Sequence, residues 1–185
     1  LAVALVAGIA AVVLSSRPTP TPPTVAASPA VAGETRLADR PAPDEAFPLP
    51  DRTLDAFGDG APVDLTAFRG TPLVVNFWAT WCAPCVKEMP DFQQVASDVG
   101  DDVAFLGVNV QDSPAVAEPF ATELGVDYAL AADPQGEFYK QVRSFGMPTT
   151  LFVDADGAVV FRHTGALDAE QLRDLLERRL GVPAA

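Results

Sequence analysis

Cysteine, histidine and positive charge are all scarce in this chain. Its 185 residues include two cysteines, one histidine and 12 Lys or Arg against 25 Asp or Glu. The resulting net charge of −13 argues against a non-specific nucleic-acid binder, because phosphate backbones attract clustered Lys and Arg. Acidity of this size keeps a protein soluble and, by repulsion, monomeric. Residues 1–40 carry Arg17, Arg36 and Arg40 against Glu34 and Asp39, a net of +1, so the remainder carries −14. No Lys/Arg-rich patch offers a dock for an acidic partner. A closed structural zinc site needs four ligands, more than two cysteines and His163 provide. A copper site from the two thiolates and His163 stays open.

Long apolar runs are missing too. The longest, "LAVALVAGIAAVVL" at residues 1–14, is shorter than the roughly 20 residues that cross a bilayer. It has no polar face, and proline-rich sequence follows, so a buried helix is disfavoured. No A-x-A-like site stands close behind it, since "AVA" at Ala30–Ala32 is far downstream. The pattern favours part of an uncleaved transmembrane anchor over a cleaved signal segment. No cysteine is near enough for lipidation. Residues 15–50 hold nine of the 18 prolines among many Ala, Ser and Thr, which favours extended solvated chain. Residues 15–45 are therefore expected to be a spacer, and 46–185 a folded domain outside the cytoplasm.

Within that domain, "TLDAFGDGAPVDLTAF" predicts a short hairpin around "GDG". Residues 72–78 and 103–110 are apolar enough for strands covered on both faces, with a helix from Ala83 to about Val99 between them. "SPAVAEPFATELG" predicts a helix with Ser113 as N-cap, which Pro119 kinks or shortens. A short strand "YALAAD" and a short helix "GEFYKQVRSFG" come next. Two antiparallel strands then flank an Asp156-Gly157 turn, and an amphipathic helix closes the chain behind the N-cap Asp168. Alternation first and antiparallel strands later predict an α/β domain with a mixed sheet flanked by helices.

Both cysteines lie in "NFWATWCAPCVKEMP", residues 76–90. A disulfide between Cys82 and Cys85 is sterically feasible, but it would close a tiny loop and constrain the unfolded chain little. If the helix begins near Ala83, Cys82 stands at its N-terminus, where free N–H groups and the helix dipole favour a thiolate. Cys85, one turn further in, is then more buried and acts second in thiol–disulfide exchange. Pro84 fits the first turn, where no amide hydrogen is needed.

"VVNFWATWCAPC", with "VKEMP" and the later "GMPTTLFVDADGAVV", resembles the TlpA/ResA-like branch of the thioredoxin superfamily, membrane-tethered thiol–disulfide oxidoreductases also typified by DsbE and CcmG proteins. The likeness covers about residues 46–182. It implies a thioredoxin fold with an N-terminal β-hairpin extension and a central helix–strand insertion near residues 113–131. It further implies Cys82 as nucleophile and Cys85 as resolving cysteine, together a redox-active disulfide. Pro148 matches the family's cis-proline beside the cysteines and, with Met147 and Trp81, is expected to contact substrate. Pro90 matches the proline that kinks the active-site helix. Glu88, one turn beyond Cys85, matches an acidic residue that tunes cysteine acidity and moves protons; a solvated helix carboxylate is the alternative. The chain departs from classical thioredoxins at Asn76, where they carry a buried Asp. Asn cannot take a proton at neutral pH, so a relay must use another group.

The implied activity is reduction of protein disulfides, with oxidised apocytochrome c as the suggested substrate and a membrane electron-donor protein as reductant. No cofactor is expected. The same fold run as an oxidant is the alternative, and a copper metallochaperone is a rival of another class. A thiol peroxidase is disfavoured because "ATWCAPC" lacks the Thr-x-x-Cys pattern.

Overall fold

The computed structural model describes residues 45–183. The expected anchor at 1–14 and nearly all of the expected spacer lie outside the described residues. Among the described residues no helix is long and apolar enough to cross a membrane.

The strand at the centre of the sheet, Leu73–Trp78, is buried at all six positions, as its continuous apolar composition requires. In chain order the strands are β1 (Phe47–Pro48), β2 (Thr53–Ala56), β3 (Val63–Asp64), β4 (Leu73–Trp78), β5 (Ala104–Val110), β6 (Ala129–Asp133), β7 (Thr149–Val153) and β8 (Ala158–Thr164). The helices are α1 (Ala83–Val99), α2 (Pro114–Glu123), α3 (Glu137–Gln141) and α4 (Ala169–Leu180). The sheet order is β1-β8-β7-β4-β5-β6-β2-β3. β4, β5 and β6 run parallel, and β7 is antiparallel to β4. This is a thioredoxin-like fold. Its N-terminal hairpin is the β2–β3 pair, and α2 with β6 form the central insertion.

Alternation along β4 divides the core. Val74 joins Phe92, Val95, Phe105, Phe152, Leu172 and Leu176 beneath α1 and α4. Val75 and Phe77 join Leu106, Leu151, Phe138 and Val142 on the opposite face, under α3. Asp168 caps α4 in a reciprocal capping box with Gln171, and Leu172, Leu175 and Leu176 are buried, as the sequence pattern predicts.

Three details differ from the sequence expectations. The helix expected through residues 136–146 stops at Gln141, because Arg143 adopts φ 55° and turns the chain away. Ser113 occupies the N-cap of α2, but its side chain makes no capping bond; Asp112 accepts from the Ser113 amide instead. The β7–β8 turn centres on Ala155-Asp156, with Gly157 following at φ 86° and donating to the Asp154 carbonyl.

Candidate functional site

β4 ends at Trp78 and α1 begins at Ala83, so the intervening turn must present Cys82. Residues Ala79 to Cys82 form that turn, with the Cys82 amide donating to the Ala79 carbonyl at 3.1 Å. Cys82 is the N-cap residue of α1, and Pro84 lies in the first turn. A disulfide joins Cys82 to Cys85, with Cα atoms 5.3 Å apart. Cys85 is fully buried and Cys82 nearly so, at 5% exposure, so the sequence order of accessibility holds within a more covered pair than expected. Both cysteines pack with Trp78, Ala79, Met89, Ala117 and Ala121, and Met147 packs against this cluster. The Met147–Pro148 peptide bond is cis, and Pro148 is buried. Trp81 is 59% exposed, while its indole N–H donates to the Gln111 carbonyl.

Glu88 is not a solvated carboxylate. It is 2% exposed, on the face of α1 turned towards the sheet. Asn76 Nδ2 donates to its Oε1 at 2.8 Å, and the Leu167 amide donates to its Oε2 at 2.9 Å. Burial disfavours the charge and dominates the balance, the two donors offset part of it, and Asp91 adds repulsion. Together they push the Glu88 pKa up to about 7. Asn76 also donates to Thr150 Oγ1, while its Oδ1 has no partner among the described residues. The helix runs on through Pro90 to Val99.

His163 lies on β8 opposite Thr150, and burial lowers its pKa. It does not join the cysteines: among the described residues no group of three His, Cys, Asp or Glu side chains is placed to hold a metal ion.

One supporting group escaped the sequence reading. Asp112, in the loop after β5, accepts from the Thr80 amide at 2.6 Å and from the Thr80 hydroxyl at 3.0 Å. Asn109 and the Ser113 amide donate to the same carboxylate. Burial opposes the Asp112 charge, but these hydrogen bonds outweigh it and hold the pKa below its ordinary value. The loop after β5 thus pins both central residues of the turn before Cys82, Thr80 through Asp112 and Trp81 through Gln111. The available signal was an Asp at the end of a strand, which reads equally well as a helix cap.

The Redoxin family model matches residues 42–177. The chain belongs to the Redoxin family. Among relatives of this Redoxin protein, the thiol:disulfide interchange protein HelX of Rhodobacter capsulatus is 36% identical over 133 residues, 71% of this chain and 74% of that one. The thiol-disulfide oxidoreductase ResA of Bacillus thuringiensis subsp. konkukian is 28% identical over 121 residues, 65% of this chain and 70% of that one. Among solved structures, a secreted Mycobacterium tuberculosis disulfide oxidoreductase homologous to E. coli DsbE superposes with a TM-score of 0.58 at 26% identity. That match covers 66% of this chain and 91% of the other. This Redoxin protein is a thiol–disulfide oxidoreductase, of the ResA, DsbE and HelX kind.

Proposed function

We propose that this protein reduces protein disulfides outside the cytoplasm, with Cys82 as the attacking nucleophile and Cys85 as the resolving thiol. The observation that carries the reading is a Cys82–Cys85 disulfide at the N-terminus of α1, one turn before a buried carboxyl whose pKa lies near 7. In the dithiol form the helix N-terminus favours the Cys82 thiolate. That thiolate attacks one sulfur of the substrate disulfide; the S–S bond breaks, a mixed disulfide forms and the departing sulfur takes a proton. Cys85 then gives its proton to the Glu88 carboxylate and attacks Cys82 Sγ. The second substrate sulfur leaves and is protonated, so two electrons and two protons have passed to the substrate. A dithiol on a membrane electron-donor protein restores the pair.

Trp81, Met147 and Pro148 flank the cysteines and form the substrate-contacting set in this reading. The suggested substrate is oxidised apocytochrome c, in line with the branch likeness of the motifs. The secreted M. tuberculosis relative supports an extracytoplasmic location. Residues 1–14 would anchor the protein to a membrane, 15–45 would act as spacer, and 46–185 would form the catalytic domain as a monomer.

Two measurements test the reading. Titration against glutathione should give a potential well below that of the glutathione couple; a potential above it would make the protein an oxidant, since about 30 mV corresponds to roughly 1.4 kcal/mol for a two-electron couple. Cys85→Ser should accumulate mixed disulfides through Cys82, and absence of any trapped species would remove the proposed order of attack.

A further inference from the structure

Three large apolar side chains are exposed among the described residues: Trp81, Val116 and Phe145, at 59%, 53% and 88%. The topology gathers them at one end of the central strands. β4 and β5 run parallel, and Trp81 and Val116 follow their C-terminal ends. β7 is antiparallel to β4 and starts at Thr149, opposite Phe77, so Phe145 precedes it at the same end. This is the end that carries Cys82.

Phe145 is exposed on a segment that is otherwise held at every step. Arg162 donates to the carbonyls of Val142 and Arg143, and the Ser144 amide donates to the Tyr139 carbonyl. The Gly146 carbonyl receives two donors, the Tyr139 hydroxyl at 2.8 Å and the Thr149 hydroxyl at 2.6 Å. Any Cβ at Gly146 would stand 2.9 Å from Thr164 Cγ2, so the chain approaches β8 as closely as glycine allows. Met147 packs on the cysteine cluster and Pro148 is buried. Tyr139 is itself fixed: its ring packs edge-on against Phe77 at 5.3 Å, and its amide donates to the Asp133 carboxylate. A phenyl ring held in water on a rigid loop loses little freedom when a partner covers it, so its burial is available to binding.

We propose that Phe145 is a specificity-determining contact for disulfide-bearing proteins with an apolar side chain beside the reactive cysteine, and that Tyr139 is a positioning residue that fixes it through Gly146. The proposal rests on the exchange reading above, in which an oxidised protein chain is brought to Cys82. It predicts a benefit confined to protein substrates, because a small disulfide can reach Cys82 without touching Phe145.

The test uses the pre-reduced full chain and its single-turnover oxidation by insulin or by 2-hydroxyethyl disulfide. Phe145→Ala should slow the insulin reaction about tenfold and leave the small-disulfide rate and the reduction potential unchanged. Tyr139→Phe should slow the insulin reaction roughly threefold alone, yet add nothing in the Phe145→Ala background, the signature of a residue acting through another. An unchanged insulin rate in Phe145→Ala, or equal slowing with both disulfides, overturns the contact. A Tyr139→Phe effect that persists in the double variant overturns the positioning role. A wild-type protein that neither disulfide oxidises would instead sink the exchange reading, and the inference with it.

Discussion

Glu88 shows how far one residue type can be taken from its ordinary chemistry by its surroundings. Folding raises its carboxyl from 4.5 to about 7, so the folded chain holds the proton more tightly than the unfolded chain. The associated stability is complete below pH ~4.5 and is lost as the pH rises through about 7. The loss is of order 3 kcal/mol, since the group is almost fully buried. Glu88→Gln should flatten this part of the stability–pH profile in urea titrations. It should also change the pH dependence of thiol reactivity between pH 5 and 8, read by single-turnover alkylation of the reduced pair. If both profiles match the wild type, Glu88 has no proton-handling role. The position of Glu88, one turn beyond Cys85, was legible in the sequence, but its burial was not. Its two hydrogen-bond partners lie 12 and 79 residues away, and only the packed sheet and the loop before α4 bring Asn76 and the Leu167 amide to it. The reading of Asn76 as a group that cannot accept a proton gains force from the structure, where its amide donates to the carboxylate.

At the scale of elements, regular structure was read more accurately than the connections. Helix α1 runs over Ala83–Val99 as expected, and β4 and β5 fall within a residue of theirs, because periodicity and apolar runs are local signals. The shortening of α3 was hidden: the apolar spacing continues past Gln141, and the turn at Arg143 is stabilised by Arg162, 19 residues later. The loop after β5 was equally opaque. Asp112 reaches back 32 residues to Thr80, a pairing no spacing rule contains. Removing it leaves the Thr80 amide without its acceptor in a part-buried turn, so Asp112→Ala should cost about 2 kcal/mol, seen as a lower urea midpoint at unchanged m-value. Asp112→Asn keeps one acceptor oxygen and should lose roughly half as much. Equal losses in both variants would mean that charge, not the hydrogen bond to the turn, is what matters.

For the whole molecule, the question is how much chain the fold needs. The family match begins at residue 42, and the described architecture uses the chain from Phe47 onward. β1 pairs with the far edge of β8, Phe47 opposite Val159, and the Leu49 amide donates to the Gly157 carbonyl. Leu49 is 5% exposed within the core and Phe47 packs against the same cluster, so this short edge segment contributes apolar burial as well as pairing. A fragment of residues 42–185 keeps all of these contacts. It also keeps the acidic balance, since the omitted stretch carries only +1. Its Tm should therefore match the full chain's within about 2 °C. A fragment of residues 51–185 loses the burial of Leu49 and the partial burial of Phe47, of order 3 kcal/mol. For a domain of this size that lowers Tm by roughly 10 °C in a circular-dichroism melt. If the longer fragment also melts low, residues before 42 contribute to the fold and the spacer reading fails. If the two fragments melt together, β1 adds nothing, and the stable unit begins at the β2–β3 hairpin.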